Sequence, residues 1–302
     1  MSDSEKKLIQ DYFGRQTSFN VYAKDFTTFK TGGPVSAVVY PCEKKDIEFL
    51  FNLKKNTGII VKFVGNGSNI LVSDHGFDGV IAFTKNFSHI ECEDEIVSAF
   101  SGAKLNKVIG FCIEKGLSGL EFLAGIPGTL GGALIMNAGT KTMSISDIVL
   151  SVEFMDHDGK WCREKREQIT WKYRYSQLKE KAFFILSATM KVKKGNAQEI
   201  KKTISEIMKQ RKHSQPLEYP SAGSVFKNPE GFFAGALIEQ AGLKGYCEGK
   251  AKISEKHANF IVNTGNASST DIWKLMRYIQ QTIKNKYNIT LEPEIELIGR
   301  FP

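Results

Sequence analysis

The sequence GLSGLEFLAGIPGTLGGALIMNAG spans residues 116–139 and combines closely spaced glycines with apolar side chains. A solvated linker would be polar, and each glycine inside a helix costs about 1 kcal/mol relative to alanine. The composition therefore predicts a loop that brings its backbone close to a bound group, since glycine permits such an approach. The stretch contains no lysine, which excludes a Walker-type phosphate loop.

A second glycine-rich loop lies upstream, where GNGSN at residues 65–69 follows the β-branched run of residues 59–64. Glycines at such a turn let backbone N–H groups point at an anionic group, and the serine and asparagine add donors. A Rossmann fingerprint would need a third glycine and a following helix, whereas residues 70–72 predict a strand. The sequence therefore does not favour a nicotinamide-type Rossmann site, and a plain tight turn stays open as the alternative.

The chain has 302 residues, of which 41% are hydrophobic and 25% charged, and this is typical of a soluble protein with two or three cores. No apolar run is long enough to span a membrane, and residues 1–7 lead into no signal-peptide core. We therefore predict a cytoplasmic protein with no membrane partner. The five cysteines form no C-x-x-C pair and the five histidines have no metal-ligand spacing, so we predict no metal site.

The formal net charge of +8 raises the question of a nucleic-acid partner. The lysines are spread along the chain, and local clusters such as residues 191–194 are more typical of solvated helix or strand ends. An anionic small substrate or a phosphate-bearing cofactor accounts for the excess charge equally well. We predict no nucleic-acid partner, while a basic nucleic-acid-binding module remains the rival from another functional class.

Short strands and helices alternate from about residue 35, with strands predicted at residues 35–40 and 59–64 around a helix near residues 47–54. The alternation of short strands and helices ends after residue 195, where a long helix is predicted to begin, and we place a domain boundary there. The N-terminal domain, residues 1–195, has predicted subdomains of about 20–87 and 88–195. The second domain covers residues 196–302 and ends in a predicted strand, residues 289–298, whose return to the first domain stays open.

Three polar segments stand in otherwise apolar surroundings: YRYS at residues 173–176, AGSVFKNP at 222–229 and LEPE at 291–294. They supply a guanidinium that can hold a carboxylate by two hydrogen bonds, a hydroxyl and a carboxyl group. A hydroxyl is a weak acid, so it protonates a carbanion only when it is held against it. Each segment also has a plain structural interpretation, as a surface strand, a turn after a proline and the solvated face of an edge strand.

Taken together, these motifs resemble the UDP-N-acetylenolpyruvoylglucosamine reductase family in its compact subclass, and the glycine loops resemble the FAD-binding fold of the vanillyl-alcohol-oxidase type. The resemblance implies an α+β protein, with a two-subdomain FAD-binding domain over residues 1–195 and a C-terminal α+β substrate domain over 196–302. It implies NADPH-dependent, FAD-mediated reduction of UDP-N-acetylglucosamine enolpyruvate to UDP-N-acetylmuramate. The product would serve peptidoglycan synthesis and, through it, cell shape and division.

The resemblance also implies residue roles: Arg174 as the carboxylate clamp, Ser224 as the proton donor and Glu294 as the third catalytic residue. Tyr175, Lys227 and Asn228 are the implied substrate contacts. The implied FAD-binding positions are Gly65, Asn66, Gly67, Ser68, Asn69, Ile70, Gly119, Ile126, Pro127, Gly128, Thr129, Gly131, Gly132, Asn137, Ala138 and Gly139.

Several features that the resemblance bears on stay open at the level of sequence. The first glycine loop carries no histidine, so the resemblance implies a non-covalent FAD. We expect a monomer, and Tyr175 and Tyr246 are both candidates for the aromatic residue that covers the nucleotide. His257 is expected to be structural rather than a substrate contact. The alternative function is that of another FAD-dependent oxidase or dehydrogenase, acting on an alcohol or a sugar on the same fold.

Overall fold

The computed structural model describes all 302 residues, Met1–Pro302. Its α-helices are α1 (Asp3–Phe13), α2 (Lys44–Thr57), α3 (Leu105–Glu114), α4 (Leu130–Ile135), α5 (Leu178–Lys181), α6 (Ala197–Ser214), α7 (Ala234–Gln240) and α8 (Ser269–Tyr287). Its strands are β1 (Thr17–Tyr22), β2 (Pro34–Val39), β3 (Val61–Val64), β4 (Ile70–Val72), β5 (Phe77–Phe83), β6 (Ile90–Glu93), β7 (Ile96–Phe100), β8 (Leu117–Ser118), β9 (Val149–Asp156), β10 (Trp161–Lys165), β11 (Trp171–Lys172), β12 (Tyr175–Ser176), β13 (Ala182–Lys191), β14 (Lys193–Lys194), β15 (Cys247–Glu248), β16 (Ala251–Ile253), β17 (Ile261–Asn263) and β18 (Glu296–Ile298). None of these helices has the length and apolar character needed to cross a membrane.

The chain forms two compact units, and neither is continuous in sequence. Unit 1 comprises residues 1–18, 38–66 and 80–210, and unit 2 comprises residues 19–37, 67–79 and 211–302. The chain passes between the units inside strands β1, β2 and β5 and inside helix α6. Unit 2 thus joins two segments from the N-terminal third of the chain to residues 211–302, whereas residues 196–210 of the predicted C-terminal domain lie in unit 1. The division into a FAD-binding and a substrate domain stays a prediction.

Unit 1 is built around a five-stranded antiparallel sheet with the strand order β10-β9-β13-β7-β6. Strand β7 shows why this segment is a strand, because Val97 and Ala99 alternate with more exposed residues and are fully buried. Helix α3 covers the same core with residues at helical spacing, and Gly116 follows its end with a φ of +64°. A second, four-stranded sheet has the order β1-β2-β5-β3, in which β3 and β5 run parallel.

Two local predictions in unit 1 were incomplete. The sequence predicts strands at residues 148–154 and 183–190 with a hairpin turn around residues 156–159 between them. The turn does form a hairpin, but it joins β9 to β10, a strand that was not predicted. Strand β10 has the sequence WCREK and no fully buried residue, so its apolar alternation is too weak to reveal it. The stretch 116–139 was expected to contain no good helix, yet the six residues of α4 are helical and four of them are buried. Burial in the core outweighs the low helix propensity of its glycines.

Unit 2 packs helices α7 and α8 with a three-stranded antiparallel sheet in the order β15-β16-β17. The sequence predicts a helix with a cap at residues 268–270 and one apolar face, and the buried side chains of α8 are those of that face: Ile272, Leu275, Met276, Ile279 and Ile283. The cap takes the form of a capping box between Ser268 and Asp271.

The predicted terminal strand, residues 289–298, is shorter than expected. Only β18 is a strand, and it pairs in parallel with β4, so that Leu297 lies opposite Leu71. Residues 291–294 instead form a single antiparallel bridge, Pro293 to Phe226. Proline has no N–H group to continue a ladder, which explains why the pairing there stays local.

The N-terminus of helix α8 is held by Asp74, a residue of unit 2 that is distant in sequence. Its carboxylate accepts hydrogen bonds from the N–H groups of Ser269 and Thr270, both at 2.8 Å, and from the Thr270 hydroxyl at 2.7 Å. Burial opposes ionisation of Asp74, but the hydrogen bonds from Thr270 and Ser269 outweigh it and hold the pKa below its ordinary value. A carboxylate at this position also interacts favourably with the helix dipole.

We predict that Asp74→Asn lowers the free energy of unfolding by about 1–2 kcal/mol at pH 7, because an amide cannot accept all three hydrogen bonds. The native pKa is below the unfolded pKa, so the contribution of Asp74 is complete above about pH 4 and is lost as the pH falls through the native pKa. Denaturation curves at pH 7 and pH 3 test this, with Asp158→Asn on an exposed turn as the control. Equal stability of Asp74→Asn and the wild type at pH 7 would contradict the capping role.

Candidate functional site

The two glycine-rich loops predicted from the sequence meet within unit 1. The side-chain amide of Asn66 donates to the carbonyl oxygen of Pro127 at 2.7 Å. Gly65 lies directly against Thr129, because a Cβ atom at residue 65 would be 2.3 Å from the Thr129 hydroxyl oxygen. The first loop therefore needs a glycine at this position for close packing, which a plain tight turn would not require.

The second loop turns tightly over Ser101. The Gly131 N–H donates to the Ser101 carbonyl oxygen at 2.8 Å, and a Cβ atom on Gly131 would lie 2.9 Å from the Ser101 Cβ. The Ser101 hydroxyl is buried and has no hydrogen-bond partner in the protein. Since buried polar groups are normally paired, this hydroxyl suits a cofactor that brings its own polar atoms to these loops.

The part of the first loop that belongs to unit 2 has a different neighbour. Gly67 has a φ of +63°, and its carbonyl oxygen accepts a hydrogen bond from the Thr28 N–H at 3.1 Å. A Cβ atom here would be 2.4 Å from the Phe26 carbonyl oxygen, so both the backbone angle and the available space require glycine. Such glycine turns expose backbone N–H groups in the manner that phosphate-binding loops use.

Three further residues that were predicted to bind the cofactor, Gly119, Ile70 and Gly128, have contacts of their own within the protein. Gly119 has a φ of +124° and its N–H donates to the Glu121 carboxylate at 2.8 Å. Ile70 is buried in β4 and pairs with Glu296. Gly128 accepts a hydrogen bond from the N–H of Leu105, at the start of α3. The structure therefore places these residues in loops or strand ends, and their contact with FAD stays a prediction.

Asn137 connects the second glycine loop to the segment that carries Arg174. It is buried, with a φ of +42°, a conformation that asparagine tolerates better than most residues. Its side-chain amide donates to the Lys172 carbonyl oxygen at 3.0 Å and accepts from the Ser146 N–H at 3.1 Å. The side chain was predicted to serve the cofactor, but these bonds give it a structural role that the sequence did not reveal.

Arg174 lies in the tight turn between β11 and β12 and has a φ of +53°. This backbone conformation is unfavourable for arginine, and such strain is concentrated at functional sites. The guanidinium is half-buried, lies 5.1 Å from the centre of the Tyr173 ring and donates to the Gly139 carbonyl oxygen at 3.5 Å. A cavity of about 230 Å³ opens beside it, and its walls include Asn137, Thr140, Ser144, Asp147, Tyr173 and Arg174.

Tyr175 and Tyr246, the two candidates for covering the nucleotide, both have aromatic or polar neighbours of their own. The Tyr175 hydroxyl donates to the Glu180 carboxylate at 2.9 Å, and this hydrogen bond raises the pKa of Tyr175. Tyr246 stacks on Tyr278 with ring centres 4.5 Å apart. The structure does not single out either tyrosine as the cover.

In unit 2, the segment that carries Ser224 runs beside the segment that carries Glu294. The Glu294 N–H donates to the Val225 carbonyl oxygen at 2.7 Å, and the Lys227 N–H donates to the Glu292 carbonyl oxygen at 2.9 Å. These two bonds flank the bridge between Phe226 and Pro293. The predicted proton donor and the predicted glutamate are therefore in fixed register, although they are far apart in sequence.

Asn69 ties the first glycine loop to the same pair of segments. Its side-chain amide donates to the Glu294 carbonyl oxygen at 3.1 Å, and its own carbonyl oxygen accepts from the Glu296 N–H at 2.9 Å. The sequence indicated Asn69 only as a cofactor residue. The structure adds a link between the glycine loop and the backbone of Glu294.

The predicted substrate contacts Lys227 and Asn228 are also held within unit 2. The Lys227 ammonium group forms an ion pair with the Glu292 carboxylate at 3.3 Å. The Asn228 side-chain oxygen accepts from the Ala234 N–H at 2.9 Å, at the start of α7. Glu292 is largely exposed, and exposed ion pairs are weak, so Lys227 can exchange this partner for an anionic ligand.

His257 has the contacts of a structural residue. Its ring Nδ1 accepts a hydrogen bond from the Asn259 N–H at 3.3 Å, and the ring packs 4.8 Å from the centre of Phe260. Burial lowers the pKa of His257, because desolvation disfavours the charged imidazolium. The structural role of His257 stays a prediction.

Two family models match the sequence. The model for a FAD binding domain matches residues 35–164, and the model for the C-terminal domain of UDP-N-acetylenolpyruvoylglucosamine reductase matches residues 215–298. The UDP-N-acetylenolpyruvoylglucosamine reductase of Caldanaerobacter subterraneus subsp. tengcongensis is 42% identical over 276 residues, which cover 91% of each chain. The protein of that name from Caldicellulosiruptor saccharolyticus is 43% identical over 280 residues, which cover 92% of this chain and 90% of the relative.

Solved structures agree with these matches. The crystal structure of UDP-N-acetylenolpyruvylglucosamine reductase from Thermus caldophilus has a TM-score of 0.80 at 33% identity, over 92% of this chain and 98% of that chain. A Phl p 4 variant described as a glucose dehydrogenase has a TM-score of 0.50 at 12% identity, over 63% and 44% of the two chains, and this shows the fold alone. The predicted α+β fold is confirmed, with a FAD-binding domain and the C-terminal domain of the reductase family.

We predict that Gly65→Ala lowers the FAD content of the purified protein, because the new methyl group would collide with Thr129 and push the two glycine loops apart. The ratio of flavin to protein absorbance measures this. Gly110→Ala in helix α3 is the matched control, since a Cβ atom there meets nothing within 4 Å. Full FAD occupancy in Gly65→Ala would show that the contact between the loops does not shape the cofactor site.

Proposed function

Because the chain belongs to the UDP-N-acetylenolpyruvoylglucosamine reductase family, we propose that Arg174, Ser224 and Glu294 carry out its reaction. The chain is an FAD-dependent oxidoreductase that uses NADPH to reduce UDP-N-acetylglucosamine enolpyruvate in peptidoglycan precursor synthesis. The observation that best supports the residue roles is the fixed register between the Ser224 segment and the Glu294 segment.

FAD fits the glycine loops, whose close contacts exclude side chains, and the buried Ser101 hydroxyl beside Gly131 has no partner within the protein. Gly65, Asn66, Thr129 and Gly131 would hold it on the unit 1 side of the first loop. When bound, FAD supplies hydride transfer, accepting a hydride from NADPH and delivering it to the β-carbon of the enolpyruvyl group. None of the proposed contacts requires a covalent link between FAD and the chain.

Hydride addition at the β-carbon leaves negative charge on the α-carbon and on its carboxylate. We assign Arg174 to that carboxylate, because a guanidinium is always cationic and binds a carboxylate through two parallel hydrogen bonds. The unfavourable backbone angle of Arg174 supports this role, since such conformations are concentrated at functional sites.

We assign Ser224 as the donor of the proton that the α-carbon takes up. A serine hydroxyl has a high pKa, so it can donate only when it is held against the carbanion and its oxygen is stabilised afterwards. Glu294 lies in the neighbouring segment, and its carboxyl group is the proposed partner for the proton path. Lys227, Asn228 and Tyr175 remain proposed contacts for the UDP-sugar.

Two other functions were open from the sequence, and the comparisons favour neither. An alcohol or sugar oxidase of the same fold is supported only by likenesses at 12–13% identity, which carry the fold and not the reaction. A nucleic-acid-binding module does not account for the match to the FAD-binding model. We further propose that the enzyme acts as a monomer in the cytoplasm and that its product supports cell shape and division.

We predict that Ser224→Ala leaves flavin reduction by NADPH unchanged but slows reoxidation by the enolpyruvyl substrate by about 10²–10⁴-fold. The reason is that the hydroxyl serves only the step in which the α-carbon is protonated. Anaerobic stopped-flow absorbance measures the two half-reactions separately. Ser221→Ala, in the same turn, is the control. Normal turnover of Ser224→Ala would remove Ser224 from the mechanism.

We predict that Arg174→Lys slows substrate reduction by about 10²-fold or more, because an ammonium group cannot reproduce the two-point hold on a carboxylate. Arg174→Gly should lose the same activity without losing stability, since glycine adopts a φ of +53° without strain. Steady-state kinetics and thermal melts test both variants. The control is Arg163→Lys, because Arg163 is exposed and forms only a surface ion pair, with Glu153. Wild-type rates in Arg174→Lys would assign the clamp elsewhere.

A further inference from the structure

We propose that Asn259 is a positioning residue that fixes the Ser224 segment for proton transfer. This inference rests on the proposed role of Ser224 and concerns unit 2 alone. Asn259 belongs to none of the three motifs that suggested the catalytic residues, and it lies in the connection between β16 and β17. Its own contacts carry the inference.

The side-chain amide of Asn259 pairs with both backbone polar groups of Phe226. The Phe226 N–H donates to the Asn259 Oδ1 at 3.0 Å, and the Asn259 Nδ2 donates to the Phe226 carbonyl oxygen at 2.8 Å. The Asn259 carbonyl oxygen also accepts from the Val225 N–H at 2.8 Å. One residue therefore makes three hydrogen bonds to the two residues that follow Ser224.

These bonds pair the N–H and C=O groups of Phe226, which have no strand as a partner. On one side, Phe226 lies opposite Pro293, and the neighbouring bonds use the Val225 carbonyl oxygen and the Lys227 N–H. In such a non-hydrogen-bonded antiparallel pair, the N–H and C=O of Phe226 point to the other side. No strand lies on that side, and the amide of Asn259 takes the place of a strand residue.

The burial of these groups makes the pairing important. Phe226 is 1% exposed and Asn259 is 4% exposed, so water cannot replace a lost hydrogen bond. Leaving a buried N–H or C=O unpaired is unfavourable, and the segment would shift to find partners. Asparagine is suited to the position because its short planar amide offers one donor and one acceptor side by side.

The position of Asn259 is itself fixed. The Asn259 N–H donates to the His257 Nδ1, and the turn is closed by the hydrogen bond from the Ser254 N–H to the Phe260 carbonyl oxygen at 2.9 Å. The pKa of His257 is lowered by burial, so its ring stays neutral and able to accept at Nδ1. Asn259 therefore presents its amide from a rigid turn.

A second contact holds the other end of the Ser224 loop. The Asn263 N–H, at the end of β17, donates to the Pro220 carbonyl oxygen at 2.9 Å. Residues 221–224 thus form a short loop anchored before it at Pro220 and after it at Val225. Gly223 supplies the turn with a φ of +77°. Loss of the Asn259 anchor would free the end of the loop that carries the Ser224 hydroxyl.

Positioning of Ser224 by Asn259 should affect reoxidation of the flavin by the substrate and not its reduction by NADPH. Proton transfer from Ser224 depends on the distance from its hydroxyl to the α-carbon, and a misplacement of about 1 Å can slow a reaction by about 10²-fold. Flavin reduction by NADPH needs no proton from Ser224. Asn259 should therefore influence reoxidation of the flavin by the substrate alone.

The first test is Asn259→Ala in the FAD-loaded enzyme. We expect reoxidation by the enolpyruvyl substrate to slow by about 10- to 100-fold, while flavin reduction by NADPH is unchanged. Amide hydrogen exchange supplies a readout that does not depend on activity, since the N–H groups of Val225 and Phe226 should lose protection. Wild-type reoxidation together with wild-type protection of these two amides would overturn the proposal.

The second test is Asn259→Asp, which keeps the size of the side chain. An ionised carboxylate has no donor for the Phe226 carbonyl oxygen, whereas a protonated carboxyl group does. Burial raises the pKa of such a group, so reoxidation relative to wild type should recover as the pH falls. Asn285→Asp, on the exposed face of α8, is the control and should show no recovery. If Asn259→Ala does not fold, the pH series with Asn259→Asp tests the proposal by itself. Reoxidation that does not recover relative to wild type as the pH falls would overturn it.

A double variant separates this proposal from the role of Ser224. In a Ser224→Ala background, Asn259→Ala should slow reoxidation no further, because residues that act through one another are not additive. A full additional loss in that background would show that Asn259 acts elsewhere and would overturn the proposal. Normal reoxidation in Ser224→Ala alone would overturn the Ser224 assignment, and with it the positioning role.

Discussion

Two peptide hydrogen bonds, from Glu294 to Val225 and from Lys227 to Glu292, hold together the two segments of unit 2 that carry the proposed catalytic residues. They join segments that are far apart in sequence, and the pairing is limited to one bridge because Pro293 has no N–H group to extend it. The same few residues are held from the glycine loop by Asn69 and from the β16–β17 turn by Asn259. A weak acid such as serine needs this rigidity, because its reactivity depends on its placement.

In unit 1, the glycine loops are held rigidly by close packing. Gly65 against Thr129 and Gly131 against Ser101 leave no room for a Cβ atom, so the two loops are shaped by backbone and not by side chains. Asn137 extends the same loop to the β11–β12 turn, where Arg174 has its unfavourable φ. The cofactor loops and the proposed carboxylate clamp are thus connected by one buried asparagine.

Much of this architecture was predictable because it has local signals. The apolar face of α8, its capping box and the strand after the first glycine loop all follow from periodicity and turn chemistry. The family followed from three short motifs together. What escaped prediction is pairing between distant segments: the alternation in residues 289–298 indicated one long strand, whereas only β18 pairs with β4. Asn69 and Asn259 escaped for the same reason, since an amide that bonds remote backbone groups leaves no pattern.

The absorption spectrum of the purified protein, followed under anaerobic conditions, tests the central claim most directly. The account predicts a yellow protein whose flavin is bleached by NADPH and regains its colour on addition of UDP-N-acetylglucosamine enolpyruvate. A colourless protein would contradict it. So would a flavin that is reduced by a simple alcohol or sugar and, once reduced, is not reoxidised by the enolpyruvyl nucleotide.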